Sequence, residues 1–441
     1  MIFDFYFVDV LNLPQIFLTA QRYGCMKKTG LVFIIGFVSL ILFVSWQQYV
    51  LSSPPLSILP DSPASESVPA VVPPHIEIKE IINEYDSLIT AEIKASGTVG
   101  AAVAVVYRNE VVYIKCFGVK KSGTKDSIDQ HTIFRLASVS KPISGVLAGM
   151  LADEQIINFE DKVVDYLPGL RLKNTEITEE ITIRNLLTHT TGLSAHAYDD
   201  LVEQKVPISQ IMNKLYLANT PAMPGQVYAY QNVMFSLLDT IVACKTGKSY
   251  CEVLKEKVFI PFGMNDASTG FKAFRMNENK ALPHSGATTI KLNDRYYTTT
   301  AAAGINASIS DMSSFLIALL GNPNPAVNEN VEEMIFTPYI QTELSRGYFS
   351  QWEKVDAKAY GIGWRIVDYK GRRVAYHGGF VRGYRAELAV CRDEQIGIVY
   401  LSNSPGTISA RSIPEFLNRF FAFKDQQKIT LVPGQADNAV N

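Results

Sequence analysis

The stretch that decides the fold and the chemistry of this chain is Phe134-Arg135-Leu136-Ala137-Ser138-Val139-Ser140-Lys141. An apolar run follows over residues 143–150. Ser138 is therefore predicted to open a helix, with Lys141 on the same face about one turn further along. A serine hydroxyl becomes a strong nucleophile when a base within hydrogen-bond distance removes its proton. A lysine whose pKa is lowered by burial can serve as that base.

The same pattern has a simpler explanation. A serine and a lysine at this spacing recur by chance on surface helices, and the motif alone favours that explanation. Pro142 is compatible with either, because proline is tolerated in the first turn of a helix. The chemistry therefore depends on which other motifs accompany Ser138.

A second motif is Tyr230-Gln231-Asn232, which precedes an apolar segment. A phenol beside a lysine can shuttle protons between a nucleophile and a leaving group. A carboxamide two residues later can form a hydrogen bond with the amide of an acyl substrate. The alternative is a tyrosine that packs a loop, with Asn232 capping the next helix.

A third motif is Tyr376-His377-Gly378-Gly379-Phe380, at the end of a predicted strand. Gly378 and Gly379 would let another backbone or a ligand approach closely. A backbone N–H just past them could pair with that of Ser138 and hold an oxyanion. His377 would add a tunable donor or charge. The alternative is a tight bulge with a structural histidine.

Taken in order, the three motifs resemble those of the β-lactamase-related serine hydrolases. This peptidase S12-like group includes class C β-lactamases, low-molecular-weight penicillin-binding D-alanyl-D-alanine carboxypeptidases and their esterase relatives. Further matching stretches are residues 183–193, 258–264 and 303–306, the last ahead of Asp311. The similarity covers roughly residues 80–423.

The order of predicted elements indicates an α/β (α+β) fold. A helix over 76–93 and a strand hairpin, 100–107 and 111–118, are followed by a long helical insert. The remaining predicted elements are strands over 361–368, 372–377, 384–391 and 395–403 and a closing helix over 409–423. This order predicts a mostly antiparallel sheet with an inserted all-helical subdomain. The resemblance implies the same β-lactamase/transpeptidase-like fold, with helices flanking the sheet.

The resemblance also implies a role for each motif residue. Ser138 would attack a carbonyl and become an acyl-enzyme, with Lys141 and Tyr230 sharing the base and acid roles. Asn232 would contact the acyl amide. The N–H groups of Ser138 and Phe380, the residue after Gly379, would form the oxyanion hole.

The sequence departs from the class C β-lactamases at two positions. His377 stands where those enzymes have lysine, and Gln231 stands where serine or alanine is common. Arg365, on the strand before His377, resembles the arginine that grips a substrate carboxylate in some D-Ala-D-Ala peptidases. A solvent-facing strand arginine is the alternative.

His189 is interpreted as structural. The histidines are not spaced in the sequence as metal ligands are, so no metal or other cofactor is expected.

The N-terminal region predicts an anchor. Residues 30–46 contain no charge, and Lys27 and Lys28 precede them. We interpret 1–29 as a cytoplasmic N-terminus, 30–49 as a transmembrane helix, 50–74 as a proline-rich linker and 425–441 as a C-terminal tail. The hydrolase domain, 75–424, would then face the periplasm from the inner membrane. Cleavage of the apolar segment as a signal peptide is the alternative.

The charge composition of the chain limits the partners that it can bind. The net charge of -2, without a long basic run, argues against nucleic acid. The expected partner is a small-molecule or peptide substrate: a cell-wall peptide, a β-lactam or an ester.

Two further features of the sequence have alternative interpretations. Met26 could be the true start instead of Met1. Cys244 and Cys251 could form a disulfide or remain free thiols.

The leading hypothesis is therefore a membrane-anchored serine hydrolase that acts as a D-alanyl-peptide carboxypeptidase. A class C-like β-lactamase or an esterase is second. A non-catalytic penicillin-binding sensor or scaffold is third, and the intact Ser138, Lys141 and Tyr230 argue against it.

Overall fold

A computed structural model describes residues 73–320, 327–343, 349–353 and 355–430. Contacts divide the chain into two units, Met1–Val71 and Val72–Asn441, and the described residues belong to the second. The predicted anchor over residues 30–49, most of the linker and the end of the predicted tail lie outside the described residues. Within the described ranges, no helix is both long enough and apolar enough to cross a bilayer.

The centre of the domain is an eight-stranded antiparallel sheet with the order β2-β1-β13-β12-β11-β10-β9-β8. Its strands are β1 Gly100–Tyr107, β2 Glu110–Gly118, β8 Ile340–Gln341, β9 Val355–Tyr360, β10 Arg365–Tyr369, β11 Arg372–Val381, β12 Tyr384–Cys391 and β13 Ile396–Ser402. Shorter strands are β3 Phe134–Arg135, β4 Ser268–Thr269, β5 His284–Ser285, β6 Thr288–Thr289 and β7 Ile305–Ala307.

The helices occupy both faces of this sheet. They are α1 Pro74–Glu77, α2 Lys79–Ala95, α3 Ser140–Asp153, α4 Val163–Tyr166, α5 Thr175–Glu180, α6 Ile183–Leu187, α7 Asp199–Glu203, α8 Ile208–Met212, α9 Asn232–Phe235, α10 Leu238–Thr246, α11 Tyr250–Leu254, α12 Gly270–Met276, α13 Thr300–Ala303, α14 Ile309–Leu319, α15 Glu329–Phe336 and α16 Thr407–Thr430. Short turns of other helix types cover Ala137–Val139, Leu215–Leu217 and Lys255–Phe259.

Strand β1 lies between two hydrophobic cores, so all eight of its residues are buried. Ala102, Ala104 and Val106 face the core that contains α3. The alternate residues face a second core that is covered by α2 and α16. Because successive side chains of a strand point to opposite faces, a continuous apolar strand is expected where both faces are covered. The sequence correctly predicted a helix at each end of the domain.

The β1–β2 hairpin is closed by Arg108 and Asn109, which both have positive φ angles, 46° and 67°. Two consecutive residues of this kind form the tight turn that matches the twist of an antiparallel pair. Tyr107 pairs directly with Glu110, so Glu110 belongs to β2 and not to the turn.

The predicted strand over residues 361–368 was partly wrong. Residues 361–364 form the turn between β9 and β10, with Gly363 at a φ of 78°. A Cβ on Gly363 would lie 2.3 Å from the carbonyl oxygen of Lys141, and one on Gly145 would lie 2.1 Å from that of Ile362. The glycines therefore let α3 pack directly on this turn, which fixes the position of the helix that carries Lys141.

Candidate active site

Ser138 lies in the short turn Ala137–Val139, between strand β3 and helix α3. Ser138 therefore precedes the α-helix, which begins at Ser140, instead of opening it as the sequence predicted. Ala137 has a φ of 48°, which L-residues other than glycine rarely adopt. This bend turns the chain sharply from β3 into α3 and places Ser138 at the turn.

Lys141 is completely buried one turn further along. Its Nζ donates to Oδ1 of Asn232 at 2.7 Å, to the carbonyl oxygen of Ala302 at 3.1 Å and to Oγ of Ser138 at 3.4 Å. Burial lowers the pKa of Lys141 well below its ordinary value; the charge of Asp199 opposes this shift and that of Arg365 adds to it. Lys141 thus has the lowered pKa and the proximity to Ser138 that a general base needs.

Tyr230 reaches Ser138 from the loop that precedes α9. Its hydroxyl donates to Oγ of Ser138 at 2.9 Å, and the Lys141 ammonium lies 4.6 Å from the centre of its ring. The structure therefore brings the side chains of Ser138, Lys141 and Tyr230 together, although 92 positions separate the tyrosine from the serine.

Asn232 is the first residue of α9 and does not cap it. The capping position belongs to Gln231, whose side chain makes no capping hydrogen bond to the helix. Its Oδ1 accepts from Lys141, and its Nδ2 donates to Oδ2 of Asp199 at 2.9 Å. The same Asp199 oxygen lies 2.7 Å from Nδ1 of His196. The sequence did not point to Asp199, since helix α7, which it begins, carries no motif that marks it.

Gly379 brings strand β11 against the serine. A Cβ at this position would lie 2.2 Å from the carbonyl oxygen of Leu136 and 3.1 Å from the backbone nitrogen of Ser138. Any side chain here would separate the two backbones. The side chain of Phe380, the next residue, is 56% exposed, so only its backbone N–H is a candidate for the oxyanion site.

His377, which the sequence suggested as a tunable donor or charge, is completely buried in the structure. Its Nδ1 lies 2.9 Å from the carbonyl oxygen of Gly378 and therefore donates, while Nε2 lies 3.0 Å from the hydroxyl of Tyr360 and accepts. Burial and the neighbouring charges of Arg365 and Lys141 lower the pKa of His377 well below its ordinary value.

Arg365 is a partly buried residue at the site and not a solvent-facing strand arginine. Its Nη1 donates to the hydroxyl of Tyr228 at 3.0 Å, and its guanidinium lies 5.3 Å from the centre of the Tyr230 ring. Arg365, Tyr230, Lys358 and Phe349 line a cavity of about 540 Å³. A cation thus projects into the space beside the catalytic candidates.

Comparison with known proteins places these residues in a family. A family model described as Beta-lactamase matches residues 85–419, which is most of the chain. The chain belongs to the beta-lactamase family. All three motifs, from Ser138 to Phe380, fall within the matched residues.

Relatives within the beta-lactamase family are distant. The chain is 26% identical to Penicillin-binding protein 4* of Bacillus subtilis over 336 residues, which cover 70% of this chain and 68% of that protein. It is 23% identical to Beta-lactamase-like protein 4 of Dictyostelium discoideum, covering 73% of this chain and 59% of that protein.

A solved structure shows the same beta-lactamase-family fold. The octameric penicillin-binding protein homologue from Pyrococcus abyssi matches with a TM-score of 0.65 and 22% identity, covering 76% of this chain and 77% of that chain. The α/β, β-lactamase/transpeptidase-like architecture predicted from the sequence is therefore confirmed for the described residues.

Among the described residues, the other cysteines and histidines form no second centre. Cys244 and Cys251 are exposed free thiols in the structure, so they are not bridged. Among the described residues, no group of three or more His, Cys, Asp or Glu side chains is arranged to hold a metal ion.

Proposed function

We propose that this protein is a serine hydrolase that works through an acyl-enzyme on Ser138. The observation that carries the proposal is the convergence on one hydroxyl: Oγ of Ser138 has the Tyr230 phenol at 2.9 Å and the Lys141 amine at 3.4 Å. A base and a proton carrier within reach of a serine are what acyl transfer requires.

In the proposed reaction, Oγ of Ser138 attacks the substrate carbonyl carbon while its proton passes to the neutral amine of Lys141 or to Tyr230 in its phenolate form. The N–H groups of Ser138 and Phe380 hold the resulting oxyanion. The proton then goes to the leaving amine or alcohol as its bond to carbon breaks. Water attacks the acyl ester with the same side chains as base and acid, which releases the product and restores Ser138.

The preferred substrate is a D-alanyl peptide with a free terminal carboxylate. Arg365 supports this choice, because a guanidinium lining the cavity beside Tyr230 matches the charge and shape of a carboxylate. Asn232 retains a second Nδ2 hydrogen for the acyl amide of such a peptide, since only one is used by Asp199.

A class C-like β-lactamase or an esterase is the second candidate. The motifs and the family support acyl transfer to those substrates equally well. The histidine at position 377, where class C β-lactamases carry lysine, favours the peptidase. A penicillin-binding sensor or scaffold without turnover is the non-enzymatic alternative, and the preserved contacts of Ser138 argue against it.

Labelling tests the acyl-enzyme. A fluorescent penicillin or a fluorophosphonate is expected to label the full-length protein covalently and to fail with Ser138→Ala. Equal labelling of both proteins would remove the proposal. Release of D-alanine from a pentapeptide, compared with turnover of a chromogenic cephalosporin, ranks the peptidase against the β-lactamase. Labelling without turnover of any substrate would favour the sensor.

The location is proposed on the N-terminal sequence alone. A single-pass anchor over residues 30–49 would hold the domain on the periplasmic side of the inner membrane, with the linker as spacer. Protease added to intact spheroplasts is expected to digest the hydrolase domain. Protection from protease would overturn this orientation, and recovery of a soluble, shortened protein would indicate signal cleavage instead.

A further inference from the structure

His189 lies directly behind Tyr230 and has no part in the proposed reaction. It is fully buried and has a φ of 59°, in the left-handed region that favours glycine or asparagine. A histidine in this conformation carries a backbone cost that its contacts must offset.

His189 accepts two hydrogen bonds, one from each residue that flanks Tyr230. The backbone N–H of Ala229 donates to the carbonyl oxygen of His189 at 2.8 Å. The backbone N–H of Gln231 donates to Nδ1 of the imidazole at 3.1 Å. The backbone of Tyr230 is therefore fixed from both directions by one residue.

The imidazole also limits the position of the Tyr230 ring. The two ring centres are 4.3 Å apart. On its other sides the imidazole contacts Phe235 and Tyr360, with centres 5.5 and 4.8 Å away. Because these neighbours are themselves buried, the imidazole has little room to move away from Tyr230.

His189 is not suited to carry protons. Its Nδ1 accepts from an N–H group, so the proton of the neutral ring is on Nε2. Burial, and then the charges of Lys141 and Arg365, lower the pKa of His189 well below its ordinary value. Nε2 is buried, and the part of the chain that the structure describes offers it no hydrogen-bond partner. A buried donor without an acceptor is destabilising, so the acceptor Nδ1 is the useful atom of this ring.

We propose that His189 is a positioning residue that fixes the Tyr230 phenol for proton exchange with Ser138. The proposal rests on the proposed function, since it assigns Tyr230 a part in acylation. From the sequence, His189 was interpreted as structural. The proposal is more specific, because it assigns His189 to holding the geometry of one reacting group, the Tyr230 phenol.

Asparagine is the informative replacement. Its Oδ1 stands in the place of Nδ1 and can accept from the Gln231 N–H, and asparagine tolerates a positive φ. His189→Ala removes the acceptor and the ring contact. His189→Gln carries an acceptor one bond further from the backbone, where Nδ1 does not lie, and serves as the matched control.

The experiment is a double-mutant cycle on the full-length protein, with the rate of fluorophosphonate acylation as readout. His189→Ala is expected to slow acylation about tenfold or more, and His189→Asn to stay within about threefold of wild type. With Tyr230→Phe already present, His189→Ala should change the residual rate by less than about twofold. Should His189→Ala not fold, His189→Asn and His189→Gln complete the same cycle.

Equal losses from the His189 variant in both backgrounds would overturn the proposal, since the residue would then act independently of the phenol. An asparagine variant as slow as the alanine or glutamine variant would do the same. Mass spectrometry of the labelled peptide separates the two hypotheses. Label absent from Ser138 contradicts the proposed function, whereas label on Ser138 with additive losses contradicts only the role of His189.

Discussion

Nζ of Lys141 lies 2.7 Å from Oδ1 of Asn232 but 3.4 Å from Oγ of Ser138. Asn232 in turn donates to Asp199, which determines which end of its amide group faces the lysine. The Asp199 carboxylate is thus connected to Lys141 through the amide group of Asn232. Its charge raises the pKa of Lys141 against the larger lowering caused by burial.

Removing the charge of Asp199 should therefore shift the pH dependence of acylation. Asp199→Asn deletes the influence that raises the pKa of Lys141, so that pKa should fall further. Because the base acts as the neutral amine, the acidic limb of the acylation rate should move to lower pH. The pH profile of fluorophosphonate labelling measures this shift.

The matched control is Asp200→Asn, which removes an exposed carboxylate at the adjacent position. Exposed charges are largely screened, so its pH profile should coincide with that of wild type. A profile for Asp199→Asn that is unchanged or moved to higher pH would show that Lys141 is not the group that limits acylation.

Gly379 should not tolerate a side chain. Gly379→Ala would place a Cβ 2.2 Å from the carbonyl oxygen of Leu136, which forces β11 away from Ser138. Removal of one oxyanion donor costs about 10²–10³-fold in rate, and we expect a loss of acylation in that range. Gly169→Ala is the control, since its Cβ would meet no atom within 4 Å. Near-normal acylation by the Gly379 variant would contradict the predicted oxyanion site.

Parts of the fold could be predicted from the sequence because the patterns that indicate them are local. Strands β1 and β12 begin and end at the residues that the sequence predicted, 100–107 and 384–391. Both are bounded by turn residues; β1 is a continuous apolar run that is buried throughout, and β12 is mostly apolar and buried except at Arg385. The prediction over 361–368 was partly wrong, since its apolar residues resemble a strand while Gly363 allows a turn against α3.

Only some of the site residues could be predicted from the sequence, for a related reason. Ser138 and Lys141 are only three positions apart, so their spacing is visible in the sequence. The bond from Asn232 to Asp199 joins residues 33 positions apart, and the one from Gln231 to His189 spans 42 positions. Such contacts depend on how loops pack, and no periodic pattern records that packing.

His377 should resist replacement by the lysine found in class C β-lactamases. His377→Lys would bury an ammonium near Lys141 and Arg365, where burial and then these two charges already lower the pKa of His377. The loss of stability should be about 1–3 kcal/mol, measured by denaturant unfolding. We also expect the ratio of cephalosporin turnover to D-alanine release to change. His377→Gln, which stays neutral, is the control; an unchanged ratio with lysine would show that this position does not affect selectivity.

Arg365 provides the sharpest test of the substrate. If its guanidinium binds the terminal carboxylate, Arg365→Gln should lower kcat/KM for a D-alanyl peptide by about 10–100-fold, as expected for loss of a charged hydrogen bond.

The same peptide with a C-terminal amide should be hydrolysed equally by wild type and variant, and fluorophosphonate labelling should stay within about threefold. Arg373→Gln is the matched control, because Arg373 is an exposed arginine on the neighbouring strand β11 and does not line the cavity beside Tyr230. Equal losses on the acid and the amide would mean that Arg365 acts through Tyr228 and Tyr230, which it contacts, and does not recognise a carboxylate.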